Sequence, residues 1–199
     1  MSRPTRTETA TPARRWARTD ATQQRILDAA TEVFGARGFT AATIADIVAA
    51  SGASIGSIYH HFGGKKELFQ AIFERMSADV DRRVAAAAAV SETDKHRAFA
   101  VNARAYLRAI WANRRAAKVL AAGDVPAGFD RIRRTTMRIN LRRWISMLEL
   151  DTSPRGQLMT RILLAIMAES ALMVAMCDNA AEVEPIIDAT IESIDRLIG

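Results

Sequence analysis

The sequence predicts an all-α protein, and three observations lead there. Past residue 18, apolar residues recur at i, i+3 and i+4 through almost every segment. Proline and glycine are scarce over the same stretch. Two short apolar segments, Thr43 to Ser51 and Ser54 to Phe62, flank a Ser51-Gly52 break, which is the pattern of a helix-turn-helix. The expected architecture is an N-terminal three-helix head over residues 19–64, joined by a connecting helix to a C-terminal helical domain over 65–199.

Residues 1–18 are rich in Thr, Pro, Ala and Arg without a continuous apolar core, so they read as a disordered basic arm and not as a secretory signal. The first helix starts at Asp20, with Gln23 in the capping-box position. It buries Ile26, Ala30, Val33 and Phe34 before Gly38 ends it, and Phe39 folds back onto its last turn. Thr43 and Asp46 have the spacing at which a hydroxyl and a carboxylate cap each other's backbone donors, and Ile44, Ile47 and Val48 share a buried face. Gly52 supplies the left-handed turn, and Ser54 caps the next helix. Ile58 and Phe62 give that helix its inward side, leaving Ser54, Ile55, Gly56, Ser57, Tyr59, His60 and His61 outward.

The connecting helix runs from Lys65 through Leu68, Phe69, Ile72, Phe73 and Met76 to an alanine run ending near Ala89. Further helices are expected at 95–113, 115–122, 129–150, 155–177 and 182–198. The last carries a continuous stripe of Val183, Ile186, Ile187, Ile191, Ile194, Leu197 and Ile198. The one before it is apolar nearly all round, with Ile162, Leu163, Ile166, Met173 and Cys177 on one side and Leu164, Met167, Ala171 and Ala175 on another. A helix with two apolar faces needs two partners, and a two-fold interface would supply the second. Ile162, Ile166, Met173, Ile187, Ile191 and Ile194 are the expected contacts of such a homodimer.

Charge narrows the partner. Arg3, Arg6, Arg14, Arg15 and Arg18 precede the head, Lys65 and Lys66 follow its last helix, and the chain carries a formal charge of +6 with a pI near 10.2. Basic groups on both sides of the motif suit the phosphates of duplex DNA, although net charge alone would suit an anionic membrane as well. No run of 18 apolar residues without a charge appears, so no membrane partner is expected, and the single Cys177 forms no internal disulfide, which points to the cytoplasm. There is no phosphate loop, no exposed nucleophile serine on a strand-turn-helix and no His-Glu pair at zinc spacing. The chain therefore reads as a non-enzyme without cofactor or metal. His60 and His61 point about 100° apart on a helix and do not converge.

Over residues from about 20 to 70 the stretch ILDAATEVFGARGFTAATIADIVAASGASIGSIYHHFGGKKELF resembles the N-terminal domain of the TetR family of bacterial transcriptional regulators. The resemblance implies a homodimer whose two recognition helices enter successive major grooves and whose C-terminal domain binds a small-molecule effector. By position it implies phosphate contacts from Thr43, Tyr59, His61 and Lys65, with Ser54, Ile55, Ser57 and His60 facing base edges or nearby backbone. Ile55 departs from many relatives and offers a branched apolar group suited to a thymine methyl. Tyr59 reads equally well as a core aromatic.

In the middle helices Asn102, Tyr106, Trp111, Phe129, Met137, Asn140, Trp144, Met147 and Met167 are candidates to line an effector cavity. Glu169 interrupts the most apolar segment of the chain; it either pairs with an arginine of the Arg131 to Arg143 helix or anchors a ligand. The arginines of that helix read as a solvated face. The function expected is a ligand-responsive DNA-binding regulator, most simply a repressor on a palindromic operator; the alternative is a basic helical sensor or interaction protein without specific DNA binding.

Overall fold

The computed structural model describes residues 12–88 and 94–198, with the side chains at 12–19, 140, 141, 143–145 and 147 left out. These residues form α1 (Pro12–Ala41), α2 (Ile44–Ser51), α3 (Ile55–Phe62), α4 (Lys65–Ala88), α5 (Lys95–Ala112), α6 (Arg114–Ala121), α7 (Phe129–Ile145), α8 (Pro154–Met176) and α9 (Val183–Ile198), with no strand among the described residues. Residues 1–11 of the expected arm lie outside the described residues. Residues 12–18, expected in the same arm, are instead the first turns of α1, which opens on Pro12 at a position where proline's fixed φ and missing N–H suit a helix start. The helix expected over 129–150 stops at Ile145; a 3-10 turn follows over Ser146–Leu148, and Glu149 at φ 49° turns the chain away.

Local signals set the head. Gly38, at φ 76° and ψ 168°, breaks α1, as the sequence predicts. Phe39 beyond it returns onto Phe34, ring centres 5.8 Å apart, and onto Phe69 at 5.3 Å. The Thr43 hydroxyl accepts the Asp46 N–H at 3.1 Å while the Asp46 carboxylate accepts the Thr43 N–H at 2.9 Å, so the capping box is complete. Gly52 adopts φ 64°, and the Ser54 hydroxyl accepts the Ser57 N–H at 3.1 Å to start α3. Arg25 of α1 donates to the Ser51 carbonyl at 3.0 Å, fixing the end of α2.

Two apolar clusters divide the interior. One joins Ile26, Ala30, Phe34, Ile47 and Ile58 of α1–α3 to Leu68, Phe69, Ile72 and Phe73 of α4, and it also takes in Val119 and Leu120 of α6 and Phe129 of α7. The other holds Val80 and Val84 of α4 with residues of α5, α8 and α9. Met76 packs against both, so α4 is a continuous rod from one core to the other. The head is thus not closed at residue 64. Its core is completed by α4, α6 and α7.

Phe129 is the far end of that completion. Gly123 and Gly128, both at φ 82°, let the loop from α6 turn back, and Phe129 then meets Phe69 and Phe73 edge-on at 5.0 and 5.4 Å. The same loop is tied to the head by Asp124, whose carboxylate accepts the Thr40 N–H at 2.9 Å and the Thr40 hydroxyl at 2.5 Å.

α8 is long and apolar enough to cross a membrane by length and composition. Here one side of it, with Leu163, Met167, Ser170 and Val174, is buried in the second cluster, and Arg161 and Glu169 stand exposed on the other. α9 lies against α5 and α8 and turns Ile187, Ile191 and Ile194 into the same core. Those three residues were expected at a homodimer interface and are corrected here: that part of the α9 stripe is covered by α5 and α8 of the same chain, while Leu197 near its end stays exposed. Ile162 and Ile166 are half-buried, and Met173 is 50% exposed.

Phe129→Ala removes a buried ring from the junction of α4, α6 and α7. Urea unfolding should show a loss of about 3–5 kcal/mol, and a loss below about 1 kcal/mol would mean that the ring does not hold the junction.

Candidate nucleic-acid interface and effector cleft

α3 buries only Ile58. Its other side presents Ser54, Ile55, Gly56, Tyr59 and His60 as exposed residues, with Ile55 56% and Tyr59 52% accessible, and Ser57 half-buried beside them. The reading of Tyr59 as a core aromatic is therefore wrong: its ring faces outward. His61 is half-buried and pairs its Nδ1 with Gln23 Nε2 of α1 at 3.4 Å, and its ring stands 5.1 Å from that of His60. Thr43, at the start of α2, is exposed on the capping box.

The electrostatics at α2 are set by its cap. Hydrogen bonds from the Thr43 hydroxyl and then its N–H hold the Asp46 carboxyl below its ordinary pKa, with Arg37 adding an ion pair at 3.2 Å. A depressed carboxyl stabilises the fold above its unfolded pKa and loses that contribution as pH falls through the folded value.

Lys65 is placed otherwise than expected. Its Nζ donates to the carbonyls of Phe39, Thr40 and Ala42 at 2.8, 3.3 and 2.9 Å, and sits 4.5 Å from the centre of the Phe39 ring. An ammonium has three hydrogens, and here all are used to satisfy the end of α1. Lys65 is a clasp between α1 and α4 and leaves no donor for a phosphate. The next residue, Lys66, is exposed at the same edge of the head.

A cleft of about 770 Å³, counted with its open mouth, lies between α4, α5, α6, α7 and α8. Phe73, Met76, Val80, Ile110, Leu120 and Leu172 give it apolar walls, with Ser77, Tyr106, Arg133, Thr136 and Met137 among the remaining lining residues. Burial pushes the Tyr106 phenol up to about 12, so its hydroxyl stays protonated.

Of the expected cavity residues the cleft includes Tyr106 and Met137. Phe129 packs into the head, Met167 is fully buried in the second core, Asn102 is buried in α5, and Trp111 lies under the Arg114 guanidinium at 4.2 Å; none of the four lines the cleft. Glu169 is exposed on α8, away from the cleft, so it is neither a buried ion-pair partner nor a ligand anchor there. The side chains of Asn140, Trp144 and Met147 lie outside the described residues. Arg133 and Phe73 were missed as cleft residues. Nothing in the sequence separates Arg133 from its neighbouring arginines, and Phe73 reads only as core.

Comparison with known proteins agrees with this arrangement. Residues 26–72 match the family model described as bacterial regulatory proteins, tetR family. The chain is 46% identical over 56 residues to the HTH-type transcriptional regulator SrpR of Pseudomonas putida and 36% identical over 59 residues to the HTH-type transcriptional regulator AcrR of Shigella flexneri. Those matches take in 28% and 30% of this chain, and the chain spans 26% and 27% of the two relatives' lengths. Its fold is that of a TetR-like transcriptional regulator from Rhodococcus sp. RHA1, at a TM-score of 0.71 and 22% identity over 89% of this chain and 93% of that one. It is also that of a transcriptional regulator from Aquifex aeolicus VF5, at a TM-score of 0.70 and 19% identity over 88% and 99%.

Thr43→Val should return the Asp46 carboxyl towards its ordinary pKa in an NMR titration, and an unmoved value would remove the capping box as the cause. Lys65→Met should lower stability by about 1.5–3 kcal/mol while leaving the salt dependence of duplex binding unchanged. Lys66→Ala should reduce that slope by about 0.9. The opposite pattern would restore Lys65 as a phosphate contact.

Proposed function

We propose that this chain, whose residues 26–72 match the tetR family model, is a ligand-responsive transcriptional regulator, a repressor that holds a palindromic operator as a homodimer in the cytoplasm. The observation that carries the proposal is the outward face of α3, polar and uncovered, on a head whose core is continuous with the wall of an apolar cleft.

In this reading Ser54, Ile55, Ser57 and His60 face base edges, while Thr43, Tyr59, His61 and Lys66 meet phosphate. Lys66 takes the part that the family resemblance implies for Lys65. With one apolar side chain and few long polar ones, α3 reads few bases directly, and phosphate contacts supply most of the affinity.

The second copy packs on α8. Leu158, Leu172, Met173 and Met176 of α8 and Leu197 of α9 are large apolar residues left exposed. Large apolar side chains left exposed along one helix are what a two-fold interface covers. The dimer then sets two α3 helices about 34–36 Å apart, one turn of B-DNA. An effector in the cleft releases the operator to the extent that it prefers another head spacing.

Selection from random duplexes should enrich a dyad-symmetric site, bound with an affinity that falls steeply with salt. Enrichment of no sequence would favour the reading as a basic sensor or interaction protein. Separately, Met173→Glu should convert a dimer into a monomer in sedimentation at micromolar protein. A variant that stays dimeric places the interface elsewhere.

A further inference from the structure

The cleft has one charged group among its lining residues, Arg133, and an otherwise apolar wall broken by hydroxyls. Arg133 is the second α7 feature that matters after Phe129, one turn earlier on the same helix. Its Nη2 donates to Asp130 at 3.1 Å, and its side chain is about a third exposed. Its Nε is buried and meets no acceptor among the described residues. A buried donor without an acceptor is unfavourable, and more so on a cation. Asp130 answers one terminal nitrogen and leaves the Nε unanswered.

The field around the cleft has the same sign. Arg131, Arg134 and Arg138 stand exposed on the other side of α7 beside Arg133, with Asp130 the acidic residue of that stretch. A cation entering this cleft would approach a basic helix and the Arg133 guanidinium itself. A neutral apolar molecule would fill the walls and leave that guanidinium with Asp130 alone. An anionic oxygen would accept from the exposed part of the guanidinium and gain a charge-assisted bond.

We propose that the cleft takes an organic anion with an apolar body, its charged head received by Arg133 and its body lying along Phe73, Met76, Val80 and Leu172. This rests on the reading of the chain as an effector-responsive regulator and names the class of effector. It also gives the ligand a path to the head. Phe73 touches both the cleft and Phe129, and Arg133 shares a helix with Phe129, so a molecule held between them bears on the ring that closes the head's core.

The test compares decanoate, decanol and decylamine on the full chain by equilibrium dialysis, with Arg133→Met and Arg133→Lys alongside. Decanoate should bind about tenfold to a hundredfold more tightly than decanol, and decylamine more weakly than either. Arg133→Met should bring decanoate and decanol together, and Arg133→Lys, which keeps the charge and loses the planar fork, should fall between. Equal binding of decanoate and decanol to the native chain would overturn the proposal, whatever the variants do. So would a preference that survives Arg133→Met in a folded variant, or no binding of any of the three. Operator binding by the ligand-free chain is measured separately. Its absence would remove the regulator reading while leaving the head-group ranking to be judged by itself.

Discussion

The contact on which the structure turns is the packing of Phe129 against Phe69 and Phe73. Phe69 belongs to the core under α3, Phe73 lines the cleft, and Phe129 comes from a helix whose next turn carries Arg133. Aromatic rings packed edge-on resist sliding because each has neighbours on several sides. These rings therefore join α7 to α4 at the level of the head. The bond from Thr40 to Asp124 and the Lys65 clasp on the end of α1 lie on the same path. Any side chain at Gly38 would run into the Asp124 carboxylate, which shows how closely the loop sits on the head.

The body solves a different problem. α8 is apolar around most of its circumference and packs against α5, α6, α7 and α9, with Leu158, Leu172, Met173 and Met176 left exposed. The exposed stripe from Leu158 to Met176 is the face on which the proposed second copy packs. Glu169 sits within this stripe, exposed, and its carboxylate limits how tightly the stripe can close on itself.

The parts of this molecule that were legible in the sequence are those decided within a few residues. The Thr43–Asp46 capping box, the left-handed Gly52, the Ser54 cap and the inward Ile58 each follow from side chains three or four positions apart, and each is found in place. What was not legible depends on the far chain. The Lys65 donors are used by carbonyls 23 to 26 residues earlier, so its position beside the recognition helix misleads. Phe129 reads as a cavity aromatic until the loop from Gly123 to Gly128 is seen to fold it onto the head. The α9 isoleucines have the stripe of an interface, and periodicity does not say whether a stripe meets its own protomer or another. Glu169 shows the converse, since a carboxylate in an apolar run is costly only if that side of the helix is buried.

Under the proposed function, a molecule held in the cleft changes where the two α3 helices of the dimer lie. The distance between nitroxides placed at Ala50→Cys on α2 of the two protomers, measured by pulsed dipolar spectroscopy with and without decanoate, reads that coupling directly. A narrow inter-protomer distance on operator DNA that shifts by several ångströms when decanoate fills the cleft is the result this structure predicts. An unchanged distance with the cleft demonstrably filled, or no inter-protomer coupling at all, would contradict it.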